Sequence, residues 1–342
     1  MKTLTRIGMA CSVSLALGGV TAIAHHSAAA FDTQKEVTVT GTVKSYRFAN
    51  PHVQLIVSVK KEDGSSVDMD VEAGAASVLN GLGFTKDKLK AGDIVTISGS
   101  PSKRDPDKFM IGRDLTKQKD NSYIPLNIAS RSILEVKSDA VATSIAGTWF
   151  SPMSAFGAYN STAAKFARND EARKVAKEMS DSKATTQKDC IPIGLPATTF
   201  YPVATTIDVQ KDKVIIKTDW MDTTRTVYLD GKHPHPPASE KFQHGHSIGH
   251  WEGKTLVVET TNFKEHPMGL STGVPSSDQK KLIEKFSLAD DGKSLIYAGT
   301  IDDPKYLTQT AQWSGRLEYR PGMPQSNQKC NVEVARKFLS DY

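Results

Sequence analysis

Alternation of apolar and polar residues marks a series of short strands in the first third of the chain. Five segments alternate β-branched or other apolar residues with small or polar ones, as half-buried strands do. They are residues 37–43, 53–59, 67–71, 94–98 and 109–115. Residues 75–82 fit one short helix before the fourth strand. Five strands with this helix predict a small barrel like the OB fold.

A second series of strands runs from residue 207 towards the C-terminus. Asp230-Gly231, Glu252-Gly253 and Asp291-Gly292 supply turns between these apolar segments. This pattern predicts an antiparallel meander, closed into a lipocalin-like barrel or left as a curved sheet. The fold class is therefore mostly β. No βαβ pattern occurs, so we do not expect a Rossmann-type nucleotide site.

Two further segments bear on the second β-rich region. Gly147-Thr148-Trp149 resembles the Gly-x-Trp start of lipocalins, although a Trp that anchors any other β core is the alternative. Residues 161–179 are rich in Ala, Lys, Glu and Arg, and their few apolar positions predict a single surface helix.

The N-terminus has the features of an export signal. Lys2 and Arg6 precede an uncharged, mostly apolar segment at residues 7–20, and Ala22-Ile23-Ala24 matches a cleavage site. We expect cleavage near Ala24 and a location in the periplasm or outside the cell. The apolar segment is too short to predict a stable membrane span.

These features divide the chain into four parts. The signal peptide occupies residues 1–24, an OB-like domain residues 25–118, a polar linker residues 119–143, and a β-barrel-like domain residues 144–342.

Composition and charge exclude several classes of protein. With 24% charged and 38% hydrophobic residues, the chain is neither intrinsically disordered nor a multispan membrane protein. The formal charge is +5, and removal of Lys2 and Arg6 lowers it to +3. Basic residues are not interleaved with aromatic ones along the OB-like strands, so we do not expect a nucleic-acid partner.

Two cysteines remain after the signal peptide is removed, Cys190 and Cys330. An oxidising compartment permits a disulfide between them, and we expect them to pair. Two buried free thiols are the alternative.

Three histidines lie near the start of the mature chain and form a candidate metal site. Cleavage after Ala24 would make His25 the first residue, so its α-amine and imidazole could chelate one ion. His26 and His52 add two further imidazoles, and nitrogen ligands suit copper or zinc. A polar terminus and a half-exposed turn residue are the alternative.

Six of the nine histidines lie between residues 233 and 266. In an extended chain, residues 244, 246 and 250 project to the same side and could line the interior or mouth of a barrel. His246 and His250, with Arg225 as a partner, are our candidates for acid–base catalysis. Surface histidines without a chemical role are the alternative, so enzyme activity stays open.

Two stretches resemble uncharacterised bacterial families. His25-His26-Ser27, Phe31-Asp32, residues 39–43 and Asn50-Pro51-His52 resemble a periplasmic family of unknown function. The resemblance implies an OB-like fold for this part of the chain.

Residues 228–234, 245–260 and 302–306, with Cys190-Ile191-Pro192, are similar to a second, secreted family, in which an acid is usual at the position of Lys254. Both resemblances imply export and a division into two domains. Neither implies a catalytic residue.

We therefore expect an exported binding protein with a small-molecule or metal ligand. A small-molecule enzyme with a histidine pocket at residues 244–250 is the first alternative. An envelope protein whose OB-like barrel docks to a partner is the second.

Overall fold

The computed structural model describes residues 30–131, 138–181, 186–221 and 223–340. The predicted signal peptide and two of the candidate metal ligands, His25 and His26, lie outside these residues. Among the helices in the described part of the chain, none combines the length and apolar character needed to cross a membrane.

Five strands close the first barrel, as the alternation predicted. They are β1 (Val37–Arg47), β2 (Gln54–Lys60), β3 (Ser66–Glu72), β4 (Ile94–Pro101) and β5 (Phe109–Lys117). β3 pairs with β5 in parallel, and the remaining neighbours are antiparallel. Alternate side chains such as Leu55, Val57 and Ile97 fill the interior. Helix α1 (Ala76–Gly81) precedes β4, so the OB-like prediction is confirmed.

The segment predicted as a linker is partly structured. Strand β6 (Tyr123–Pro125) lies within it and pairs with β5 of the first barrel.

Nine strands close the second barrel. In chain order they are β7 (Gly147–Phe150), β8 (Ala204–Val209), β9 (Lys213–Thr218), β10 (Thr223–Tyr228), β11 (His246–Glu252), β12 (Thr255–Thr261), β15 (Lys281–Leu288), β16 (Ser294–Asp302) and β17 (Ala311–Tyr319). β13 (His266–Ser271) and β14 (Val274–Ser276) form a separate two-stranded sheet. Every neighbouring pair in the barrel is antiparallel except β10–β11. Lipocalin barrels have eight strands, so this barrel differs in strand number.

Trp149 of the Gly-x-Trp motif is completely buried in the second barrel. Its Nε1 donates a hydrogen bond to the carbonyl oxygen of Ile145 at 2.8 Å, and its ring centroid lies 5.0 Å from that of Tyr319. The motif therefore anchors the first strand of this barrel to the last.

Within its described residues, the second region contains three α-helices rather than the single helix predicted over residues 161–179. They are α2 (Met153–Ala163), α3 (Asp170–Asp181) and α4 (Val332–Ser340). The break covers residues 164–169, where Arg168 forms an isolated antiparallel bridge with Leu307 and its Nη1 donates a hydrogen bond to the carbonyl oxygen of Gly273. Asn169 then caps α3, with its side-chain oxygen accepting from the amide of Ala172 at 3.0 Å. Short 3₁₀ helices occur at Lys86–Lys88, Thr186–Asp189 and Ala197–Phe200.

Residues 324–331, which we call the C-terminal strap, join the two barrels. Asn50 of the first barrel is fully buried, and its Nδ2 donates to the carbonyl oxygen of Gln328 at 2.8 Å. Its Oδ1 accepts from the amide and hydroxyl of Ser77. At the other end of the strap, Ser326 donates two hydrogen bonds to the buried carboxylate of Asp219. The strap therefore fixes one barrel against the other.

Cys190 and Cys330 form a disulfide, which confirms the predicted pair. The bond connects the strap to the chain just after the 3₁₀ helix Thr186–Asp189, and it spans a sequence separation of 140 residues. A cross-link over so long a loop restricts the unfolded chain strongly.

Replacement of both cysteines by serine should lower the free energy of unfolding by about 2–5 kcal/mol, because the unfolded chain gains conformational freedom. Urea denaturation followed by circular dichroism measures this loss. Reduced wild-type protein is the matched control and should unfold with the variant. Equal stability of the oxidised wild type and the variant would contradict the expectation.

Candidate functional site: an interdomain cleft and a histidine cluster

A cleft with a volume of about 390 Å³ lies between the two barrels. The second barrel contributes an aromatic wall, in which Tyr201 and Trp220 stack with their ring centroids 4.0 Å apart. Phe156 of α2 extends this wall, and Val78 of α1 and Ile128 face it from the first barrel. The cleft is therefore lined mainly by apolar side chains.

A histidine–glutamate pair supplies the polar part of the cleft. His52 Nδ1 lies 3.1 Å from Glu72 Oε1 and 3.2 Å from the carbonyl oxygen of Ala73. Both neighbours are acceptors when Glu72 is ionised, so we assign the Nδ1 proton to His52. Only 1% of the Glu72 side chain is exposed. The pair places a buried carboxylate at the edge of an apolar cavity.

The candidate metal site at His25, His26 and His52 stays a prediction, because only His52 lies within the described residues. An ion at His52 would have to bind through Nε2, since Nδ1 is committed to Glu72 and Ala73. In the described residues, no three His, Cys, Asp or Glu side chains are placed to hold one ion.

A second group of polar side chains, which we call the histidine cluster, consists of His233, His235 and His246 with Tyr228. The Tyr228 ring stacks on both His233 and His246, at centroid distances of 4.2 and 5.4 Å. His235 Nδ1 lies 3.1 Å from His246 Nδ1. Tyr228 and His246 lie on the outer face of the barrel wall, because the side chains of their neighbours in the strands, Val227 and Ser247, are buried.

The structure does not bring the three predicted catalytic residues together. Arg225 is buried inside the barrel, where its Nη1 and Nη2 lie 2.5 and 3.0 Å from the carboxylate oxygens of Glu284. His246 and His250 belong to β11 on the outer face, and they are four positions apart along the strand, a distance of roughly 13 Å. His250 is exposed beside Glu252.

His244 does not share the side of His246, contrary to the expectation for an extended chain. Gly245 has a φ of +68° and closes a turn in which its amide donates to the carbonyl oxygen of Phe242. A Cβ at this glycine would lie 2.6 Å from the carbonyl oxygen of Thr261. Because the turn interrupts the alternation, the His244 ring packs inward, and its Nδ1 is buried.

Burial lowers the pKa values of three basic side chains, His244, His266 and Lys280. It lowers the pKa of His244 to about 4, with help from the positive charges of Arg225 and Lys280. Burial and Lys280 also lower the pKa of His266 to about 4. Lys280 itself has its pKa lowered by burial to about 7, although Asp303 and Glu284 oppose the shift.

Sequence reasoning missed the network that surrounds Arg225. Tyr297 donates to Glu284 Oε1 at 2.6 Å, and Thr260 donates to Glu284 Oε2 at 3.2 Å. The signal was present in the alternation, because Glu284 occupies an inward position between the apolar residues Leu282 and Phe286. A charged residue at such a position requires an internal partner.

One comparison with known proteins bears on the N-terminal part of the chain. Residues 13–108 match a family of unknown function, DUF6152, and this segment includes Asn50, His52 and Glu72. The search among curated proteins finds no match. The family match agrees with the resemblance of this region to an uncharacterised family and assigns no activity.

Glu284→Ala should lower the free energy of unfolding by about 3–5 kcal/mol, because it leaves the Arg225 guanidinium buried without its counter-ion. Glu252→Ala is the matched control: Glu252 is exposed beside Lys285, and a surface pair contributes less than about 1 kcal/mol. Urea denaturation measures both. Equal losses in the two variants would refute a special role for the buried pair.

Acid should destabilise the protein through His244 and His266. Between pH 6.5 and about 4 the unfolded chain binds more protons than the folded one, so the free energy of unfolding falls as the pH falls. The upper limit is on the order of 3 kcal/mol for each histidine. The double variant His244→Gln/His266→Gln should show a shallower dependence of the free energy of unfolding on pH over this window than the wild type. Urea denaturation at a series of pH values provides the test, and an unchanged slope in the double variant would contradict it.

Proposed function

We propose that this protein is an exported binding protein that holds a small molecule in the interdomain cleft. The observation that carries the proposal is an apolar cavity of about 390 Å³ with a buried carboxylate–imidazole pair at its edge. Ligand sites in proteins are concave, mostly apolar, equipped with a few polar groups and often located between domains.

The lining suggests the chemistry of the ligand. The stacked rings of Tyr201 and Trp220 suit a flat or apolar body. Glu72 and His52 suit a polar head that donates a hydrogen bond to the carboxylate. Arg113 also lines the cleft, but Asp114 and Glu36 already hold its guanidinium at 2.9 and 2.7 Å. We therefore favour a neutral or cationic head over an anionic one.

The interior of the nine-stranded barrel is a poor place for this ligand. Completely buried aromatic side chains, among them Trp149, Phe286 and Tyr297, fill it together with the Arg225–Glu284 pair. The likeness to lipocalins is thus limited to the closed barrel and its Gly-x-Trp start, and the proposed site lies outside the barrel wall.

Export, and with it the periplasmic location, belongs to the same proposal. The Cys190–Cys330 disulfide supports it, since such bonds persist in oxidising compartments. The second, secreted family that residues 228–306 resemble agrees with it. Copper or zinc bound by His25, His26 and His52 would then lie beside the cleft, because His52 lines it.

An enzyme built on the histidines at residues 244–250 has less support. The Arg225 guanidinium and the imidazoles of His246 and His250 lie on opposite sides of the barrel wall. A reacting group could not contact all three.

Nile red, an uncharged dye whose fluorescence rises in apolar sites, serves as a first probe of the cleft. Ala129→Trp should weaken dye binding by about tenfold or more, because Ala129 is an exposed residue at the cleft and a large ring there fills the cavity. Ala91→Trp is the matched control, since Ala91 is also exposed but does not line the cleft.

Fluorescence titration of the folded proteins gives the dissociation constants. Unchanged dye affinity in Ala129→Trp, or equal weakening in both variants, would count against the cleft as the binding site. Native mass spectrometry of protein isolated from its own host would then identify the natural ligand.

A further inference from the structure

His235 and His246 approach each other more closely than two side chains on a solvated surface need to. Their Nδ1 atoms lie 3.1 Å apart, with the ring planes inclined by 76°. Two neutral imidazoles can share this contact only when one Nδ1 carries a proton and the other accepts it. The position between the two nitrogens therefore suits one small cation, either a proton or a metal ion.

The surrounding chain holds both rings in place. His235 lies between two prolines in the segment Pro234-His235-Pro236-Pro237. The side-chain amide of Asn262 donates to the carbonyl oxygens of Pro236, Pro237 and Glu240, at 3.0 to 3.2 Å. His246 starts β11, pairs with Thr261 and packs on the Tyr228 ring. Such fixed geometry lowers the entropy cost of binding a ligand.

We propose that His235 and His246 bind one divalent transition-metal ion, of the class of zinc or copper, through their two Nδ1 atoms. Metal–nitrogen bonds of about 2.0–2.1 Å separate two ligand nitrogens by about 2.9 Å at a right angle and about 3.3 Å in a tetrahedron. The observed separation lies between these values. The ion takes the place of the shared proton, which moves through solvent to Nε2 of His246, so that both rings bind as neutral imidazoles.

Glu259 gives His235 the environment of a metal ligand. His235 Nε2 lies 3.3 Å from Glu259 Oε1, and Lys281 Nζ lies 2.6 Å from Oε2 of the same carboxylate. Histidines that bind metal usually donate their second ring N–H to a carboxylate, which orients the ring and increases its basicity. Because the Glu259 carboxylate lies beside Nε2 of His235 while Nδ1 of the same ring faces His246, we assign Glu259 the role of a positioning residue.

The ion keeps open coordination positions. Within the described ranges no third His, Cys, Asp or Glu joins the two imidazoles, so water or a small ligand completes the shell. A cavity of about 330 Å³ lies next to the histidine cluster and is lined in part by Tyr228, His233 and Glu259. This site belongs to the second barrel, and it is separate from the interdomain cleft.

Zinc titration of the full mature chain tests the proposal. The parent protein carries His25→Ala, His26→Ala and His52→Ala, so that the proposed N-terminal site cannot contribute. We expect it to bind one Zn²⁺ by isothermal titration calorimetry, and at a pH where both imidazoles are neutral the two rings release no net proton. His235→Ala and His246→Ala should each weaken binding by about 100-fold or more, and Glu259→Gln by about 10-fold. His233→Ala and His250→Ala are neighbouring controls and should bind as the parent does.

Side-chain nuclear magnetic resonance gives a readout that does not depend on any variant at the site. In ¹⁵N-histidine spectra of the parent, Zn²⁺ should shift the Nδ1 signals of His235 and His246 and leave the Nε2–H of His235 protonated. Absence of zinc binding by the parent, parent-like affinity in both alanine variants, or shifts confined to other histidines would each overturn the proposal.

Discussion

The arrangement of the two barrels depends on the buried carboxamide of Asn50. Its oxygen accepts from Ser77 at the start of α1, and its nitrogen donates to the C-terminal strap at Gln328. The backbone carbonyl oxygen of Asn50 accepts a further hydrogen bond from the amide of Asn331. A single side chain thus satisfies groups from two domains, and its loss would leave buried donors and acceptors unpaired. His52 follows two residues later, so the same contact sets the position of the cleft's imidazole.

The strap transmits this constraint to the second barrel through two chemically different contacts. Ser326 binds Asp219, which immediately precedes Trp220 of the aromatic wall. Cys330 is bonded to Cys190, close to Gln187 at the other side of the cleft. The strap therefore contacts the chain on both sides of the cleft, at Asn50, Asp219 and Cys190. The shape of the cleft is a property of the assembled chain and of neither barrel alone.

Much of the fold was predictable, because barrel strands alternate inward and outward residues and turns carry Asp-Gly or Glu-Gly pairs. The disulfide was predictable because two cysteines lie outside the predicted signal peptide. The helix break at Arg168 and Asn169 was missed because it coincides with a tertiary contact to Gly273, which the local pattern does not reveal. The orientation of His244 was missed because Gly245 adopts a positive φ, which alternation alone does not reveal.

The His235–His246 pair and the interdomain cleft differ in how much of each could be predicted from the sequence. His235 and His246 belong to an obvious concentration of histidines, but their partnership requires a turn and a folded loop. The sequence contained almost no evidence for the cleft, since Tyr201, Trp220 and Val78 come from distant segments and resemble ordinary core residues. In the sequence, Glu72 is one of several polar residues of β3. Its side chain lies beside apolar groups only because the two barrels pack together.

The strand number of the second barrel has a consequence for the histidine cluster. Around a closed ring, neighbours that all run in opposite directions require an even count, and nine strands must therefore include at least one pair that runs the same way. That pair is β10–β11. A tight hairpin cannot connect such strands, so residues 229–245 must travel the full height of the wall before β11 begins. The odd count thereby obliges the chain to lay a long segment against the outside of the barrel, and that segment carries His233 and His235.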